Sequence, residues 1–378
     1  MENIRLLFEK NNAERRCKYE FTGRRLYIPF LKNEIGGDEI KELISLLNEI
    51  RHRYKGINIP ICIDIGNVVF ADKLTYIMLE CILYEYIVVW KHDICIIMNP
   101  AKNIEVAGIE TSVLSLLRRK TKEDRAEFKK QFSFKLLGKH KRFIVRKDES
   151  SSKISEKYDD MYVFLKALGI EEECCKQVAE VVEELLSNAN EHSGSDCLID
   201  LDVTNYYKKL ENGEINGEDY YGINIAVVNF SDILFETKIK RKMIDSSPKK
   251  GKYGDVSRAY RNHIGFFDSD YIESDFYIVT SYQDRVTGRA DDATGGTGLT
   301  KLLQALAELS DYNKCYMITG NRALYFREEY MKRSDGWIGF NETGDYIEKP
   351  PSKNVIGVCP VYIPGTGYNL HFVMKKEK

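Results

Sequence analysis

Along residues 24–98 the apolar positions switch repeatedly between strand-like and helix-like spacing. Arg24–Phe30 (RRLYIPF) reads as a strand, and Asp38–Tyr54 as an amphipathic helix opened by an aspartate cap. Ile59–Ile65 is a second strand, Asp72–Trp90 a long apolar helix and His92–Met98 a third strand. Strands that alternate with helices imply a small α/β domain over residues 21–100, preceded by an N-terminal segment, 1–20. From residue 154 to 378 the pattern implies a second α/β domain. It opens with a short helix at 157–169 and a longer one from Glu171 to about His192. Strands are expected at 197–206, 221–230, 275–282, 314–319 and 367–375, with a helix at 299–310 after a glycine turn at 295–298.

The stretch between the two units changes this picture through charge. Residues 118–147 hold 13 Lys/Arg against three Asp/Glu, and SerSerSer follows at 150–152. Residues 101–153 therefore read as a basic helical connector. A nucleic-acid contact is the alternative and is not favoured, because no interleaved aromatic platform accompanies the charge. A second basic run, with Lys/Arg at 238, 240, 241, 242, 249, 250 and 252 against Asp245, reads as a solvated loop or as a surface able to neutralise phosphate.

At 378 residues the chain suits two cores, and its net charge of −2 gives no global pull toward nucleic acid. The first residues lack a signal-peptide pattern, and the most apolar stretch, Ile77–Trp90, is short and contains Glu80 and Glu85, so no membrane span is expected. Nine cysteines form no CxxC pair and several lie in apolar runs, as in IPICIDI, which points to a reducing cytoplasm without structural disulfides.

Two motifs carry chemistry. In Glu183-Glu184-Leu185-Leu186-Ser187-Asn188-Ala189-Asn190-Glu191-His192, helical spacing stacks Glu184 one turn from Asn188. Val178, Val182, Leu185 and Ala189 fall on another stripe, suited to packing on a sheet. A carboxamide oxygen is a hard ligand for Mg²⁺, and a carboxylate beside it can orient or deprotonate an attacking group. An ordinary amphipathic helix would carry the same short pattern. The second motif is Asp291-Asp292-Ala293-Thr294-Gly295-Gly296-Thr297-Gly298-Leu299 before a helix, where glycines and a helix N-terminus favour phosphate. Alone it is a flexible turn.

In this order the two motifs resemble the N-box (ELLSNANEHS) and second glycine box (TGGTGL) of GHKL ATPases and kinases, nearest to the anti-sigma-factor kinases and histidine-kinase ATP-binding domains. The resemblance covers about residues 157–376 and includes the last strand, PGTGYNLHFVM. It implies an α/β sandwich with helices on one face of a mixed, largely antiparallel sheet. It implies ATP and Mg²⁺ as cofactors, Glu184 as general base and Asn188 as metal ligand. It further implies a phosphate cradle of Thr294, Gly295, Gly296, Thr297, Gly298 and Leu299, and an ATP lid over about 232–293. His192 either supports the site or has a local capping or packing role. After the strand GINIAVV the family has an aspartate that accepts from adenine. Here Asn229-Phe230-Ser231-Asp232 follows, so neutral Asn229 takes that place, with Asp232 nearby, and the expected glycines are missing.

The front unit resembles STAS domains through Asp64, Val68, Phe70 and Asp72 in ICIDIGNVVFADKLTYIMLECIL. The phosphoserine of that family would fall at Lys73. The chain is thus expected to be a cytoplasmic, ATP-binding regulatory protein, a Mg²⁺-dependent ATPase switch with a protein partner or a homodimer. A serine/threonine kinase acting on a partner and a non-catalytic scaffold are the alternatives. An autophosphorylating histidine kinase is disfavoured, since His52 lacks the usual acidic neighbour.

Overall fold

The computed structural model describes residues 1–11, 18–67, 69–99, 112–118, 121–189, 194–209, 215–244, 251–286, 298–309 and 315–375. The chain is mixed α/β. Its first part runs α1 (Arg5–Lys10), β1 (Glu20–Thr22), β2 (Arg25–Pro29), β3 (Glu34–Ile35), α2 (Gly37–Arg53), β4 (Ile61–Gly66), β5 (Val69–Phe70), α3 (Lys73–Tyr84) and β6 (Ile94–Met98). The sheet order is β1-β2-β4-β6, with β2, β4 and β6 parallel. Parallel neighbours need crossovers, and α2 and α3 supply them on the same face. Asp38 was expected to cap α2 but lies inside its first turn. The cap is Gly36, whose N–H donates to the Glu39 carboxylate at 3.0 Å. Asp72 does cap α3, accepting from the Thr75 N–H at 2.7 Å. Every residue of α3 is buried, polar ones included, because the helix is covered on two sides.

The second cover is a six-stranded antiparallel sheet. It is built from β7 (Phe134–Leu137), β8 (His140–Val145), β9 (Cys197–Lys209), β10 (Ile215–Phe230), β11 (Tyr316–Tyr325) and β14 (Ile356–Lys375), in the order β11-β14-β10-β9-β8-β7. The small pair β12 (Arg333–Ser334) and β13 (Trp337–Ile338) lies outside it. Apart from the edge strand β7, both faces are buried, and period-two alternation splits the strands between two cores. Ile199, Leu201, Ile223 and Ile225 face the core shared with α5 (Ser151–Ala167), α6 (Glu172–Asn188) and α10 (Gly298–Leu309). Leu198, Ala226, Val228, Ile318 and Ile363 join the core of the N-terminal unit. That unit is therefore a layer on the back of the large sheet, with α3 packed on β10 and β14.

Two expectations are corrected. Among its described residues the basic stretch forms α4 (Lys122–Ser133) and then the β7–β8 hairpin at the sheet edge, with a short 3-10 turn at Val113–Leu117 before it. Lys135 and Arg142 are buried there, with Arg142 received by Glu80 and Asp200 of other elements, so their charge did not mark a solvated face. Residues 100–111 lie outside the described set. The expected strand at 275–282 is instead helix α9 (Glu273–Thr280). The apolar run FYIVT has no diagnostic period. Asp275 decides it, accepting from the Ile272 N–H at 2.8 Å and pairing with buried Arg322 at 2.5 Å. Among the described residues, no helix is long and apolar enough to cross a membrane.

Candidate functional site

Helix α6 lies with Val178, Val182 and Leu185 against the sheet, which leaves Glu184 and Asn188 half-buried at its C-terminal end. The Asn188 Nδ2 donates to Glu184 Oε1 at 3.0 Å. Beside this pair opens a small cleft of about 30 Å³ that widens into open solvent. Leu185 and Ala189 of α6, Val227 of β10, Phe235 and Tyr368 form apolar walls, and Asn229 and Thr366 bring polar groups. Asn229 is 3% exposed. Its Oδ1 accepts from the Thr366 N–H at 3.0 Å, and its Nδ2 donates to Ser195 Oγ at 3.3 Å. One lone pair of the Asn229 oxygen is thus already in use. Next to it, Gly365 has φ 104°, and a Cβ there would lie 2.5 Å from the Asn229 carbonyl oxygen, so only glycine fits.

The expected site residues divide into three groups. Glu184, Asn188 and Asn229 come together around the cleft. Asp232 is exposed and does not line it, whereas the residues that follow, Ile233 to Phe235, form its wall. Gly298 and Leu299 open α10, which runs antiparallel to α6 through Lys301–Glu180 (3.3 Å) and Gln177–Glu308 (2.8 Å). The start of α10 is therefore at the Glu184 and Asn188 end of α6. Thr294, Gly295, Gly296 and Thr297 lie outside the described residues, as do His192 and Val68. Ser195, Thr366 and Tyr368 were missed; the sequence offered only the polar, glycine-containing PGTGY of the last strand as a signal.

Among the described residues, the expected lid region contains the helices α7 (Thr237–Ile244), α8 (Lys252–His263) and α9, whose Ile239, Val256 and Phe276 join the same core as α5, α6 and α10. His263 is buried, with Nδ1 2.6 Å from the Tyr271 hydroxyl and Nε2 2.9 Å from the Tyr346 carbonyl, and burial pushes its pKa down to about 4. Part of the basic run is committed locally. Lys240 pairs with Glu273 at 2.7 Å, and the Lys242 and Lys252 amines lie 4.4 and 4.1 Å from the rings of Tyr253 and Trp337.

A second polar cluster sits on the other side of the sheet. Lys73, 2% exposed at the start of α3, lies 2.5 Å from Asp200 and contacts Asp202. Arg142 bonds Asp200 and lies 2.5 Å from Glu80, and His140 is 2.9 Å from Asp200. Burial opposes the ammonium, but Asp200 and Asp202 hold the Lys73 pKa above its ordinary value. Burial also opposes the Asp200 carboxylate, yet Arg142, His140 and Lys73 hold it well below the usual range. His140, Asp200 and Asp202 have ligand atoms within 4.8 Å of one another, the spacing of a metal site. The Lys73 amine already lies against both carboxylates, so the cluster is an ion network joining α3 to β8 and β9. The signal for it was two aspartates at alternate positions in an otherwise apolar strand, CLIDLDV. No family model matches this chain, and neither a curated protein nor a solved structure matches it.

Proposed function

We propose that the sheet, with α5, α6 and α10, is a GHKL-type domain that binds ATP and Mg²⁺ in the cleft, and that the STAS-like layer behind it makes the chain a cytoplasmic, nucleotide-dependent regulatory protein. The observation that carries this reading is the Glu184–Asn188 pair beside an apolar cleft lined by Asn229 and Thr366. That α5, α6 and α10 share one face of an antiparallel sheet agrees with it.

The residues present fit such a ligand. Leu185, Val227, Phe235 and Tyr368 suit a flat base. Asn229 keeps one acceptor lone pair, and being neutral it holds an amino group less strongly than a carboxylate would. Asn188 spends its amide nitrogen on Glu184, so its oxygen is the end left for a hard cation. Glu184 is the group that takes or orients a proton of an attacking hydroxyl. Bound Mg²⁺·ATP supplies an electrophilic phosphoryl group whose charge the ion offsets. The N-terminal layer meets the back of β10 and β14, the strands that carry Asn229 and Thr366, so nucleotide state acts on it through those strands.

A second reading, a non-catalytic scaffold with a degenerate site, is favoured by the Asn229 amide being engaged at both ends. Incubating the full chain with γ-labelled ATP separates the readings. Released phosphate supports an ATPase, and label on a partner protein supports a kinase. Neither product, with ATP bound, supports the scaffold.

A further inference from the structure

On the face of the sheet away from the cleft, a cavity of about 240 Å³ opens between the first turns of α2 and α3 and strands β11 and β14. Ile40, Leu74, Met78, Ile318 and Val361 make its walls apolar. Its polar groups gather at one side, where the Tyr316 hydroxyl donates to Asp72 Oδ2 at 2.6 Å. The other Asp72 oxygen caps α3. Among the described residues no Lys, Arg or His pairs with Asp72, and no cationic side chain lines the cavity. A half-buried carboxylate without a cation, set in an apolar hollow of ligand size, favours a cationic guest and disfavours an anionic one.

We infer that this cavity is a second ligand site, which binds a compact apolar or aromatic molecule bearing an ammonium group, with the ammonium on Asp72. The site is separate from the nucleotide cleft and does not depend on the nucleotide reading. The ring body lies between Leu74 and Met78 of α3 and Ile318 of β11, so the guest touches both the N-terminal layer and the sheet. Anionic and phosphorylated molecules are excluded because no cation meets them there.

The test uses tryptamine as the probe and indole-3-propionate as its anionic counterpart, titrated into the full chain by calorimetry and by saturation-transfer NMR. Tryptamine is expected to bind at least about tenfold tighter than the acid. Asp72→Asn keeps the cap through its one amide oxygen and turns its NH₂ to the Tyr316 hydroxyl oxygen while removing the charge, so the preference should disappear. Ala71 is an exposed residue of the lining, and Ala71→Trp should block the mouth and abolish binding. The inference is overturned if tryptamine fails to bind at millimolar concentration or binds no better than the acid. Unchanged tryptamine affinity in Ala71→Trp overturns it as well. If that variant does not fold, the comparison of amine with acid on the wild-type chain still decides.

Discussion

Lys73→Met probes the union of the N-terminal layer with the sheet. The substitution keeps most of the stem and removes the ammonium that sits 2.5 Å from Asp200 and against Asp202. Breaking a buried pair by removing one partner typically costs about 3–5 kcal/mol. Asp200 keeps Arg142 and His140, so the deficit falls mainly on Asp202. Burial already pushes the Asp202 pKa up while Lys73 opposes that rise, so loss of the ammonium raises it further. A carboxyl whose folded pKa lies above its unfolded value stabilises at low pH and loses that contribution as pH rises through the folded value. The variant should therefore be more impaired at pH 8 than at pH 5.5, and adding Asp202→Asn should recover about 1–2 kcal/mol. Urea unfolding followed by tryptophan fluorescence measures this. Trp90 packs on Phe8 in the N-terminal layer, and Trp337 stacks on Tyr346 beyond the other face of the sheet. In forms carrying only one of the two, both transitions should coincide and both should shift with Lys73→Met. A loss below about 1 kcal/mol, or a shift seen by Trp90 alone, would refute the claim that the layers fold as one unit.

Two further outcomes follow from the sites. Burial holds His263 neutral, lowering its pKa from 6.5 to about 4, so its contribution is complete above pH 6.5 and lost as pH falls through 4. The loss is about 3 kcal/mol; chemical denaturation at pH 7 and pH 4.5 should show it, and a His263→Gln variant with the same pH dependence would exclude His263 as the source. Glu184→Gln keeps size and hydrogen bonding, so nucleotide should still bind while turnover falls by about 10²-fold or more. Unchanged turnover would move the base elsewhere, and Glu183, tied to Ser155 at 2.8 Å, is a poor substitute.

Where local spacing decides structure, the sequence was legible. The helices α2, α3, α6 and α10 and the strands β4, β6, β9 and β10 stand close to where periodicity put them. The β7–β8 hairpin was not legible, because Arg142 meets Asp200 across 58 residues and Lys73 meets Asp202 across 129. Read locally, such residues are surface charges. Strand β14 begins at Ile356, well before the expected 367, and its pairing with β11 is irregular over the added length. Glu184 and Asn188 could be paired from helical spacing alone. Thr366 and Ser195 could not be joined to Asn229 without knowing that β14 lies beside β10.

Isothermal titration of Mg²⁺·ATP into the full chain, beside Asn188→Ala, tests the central claim most directly. The account predicts saturable binding that needs Mg²⁺, weakened at least about tenfold when the Asn188 oxygen is removed. No heat of binding to the wild-type chain at millimolar nucleotide, or equal affinity in the variant with and without Mg²⁺, would contradict it.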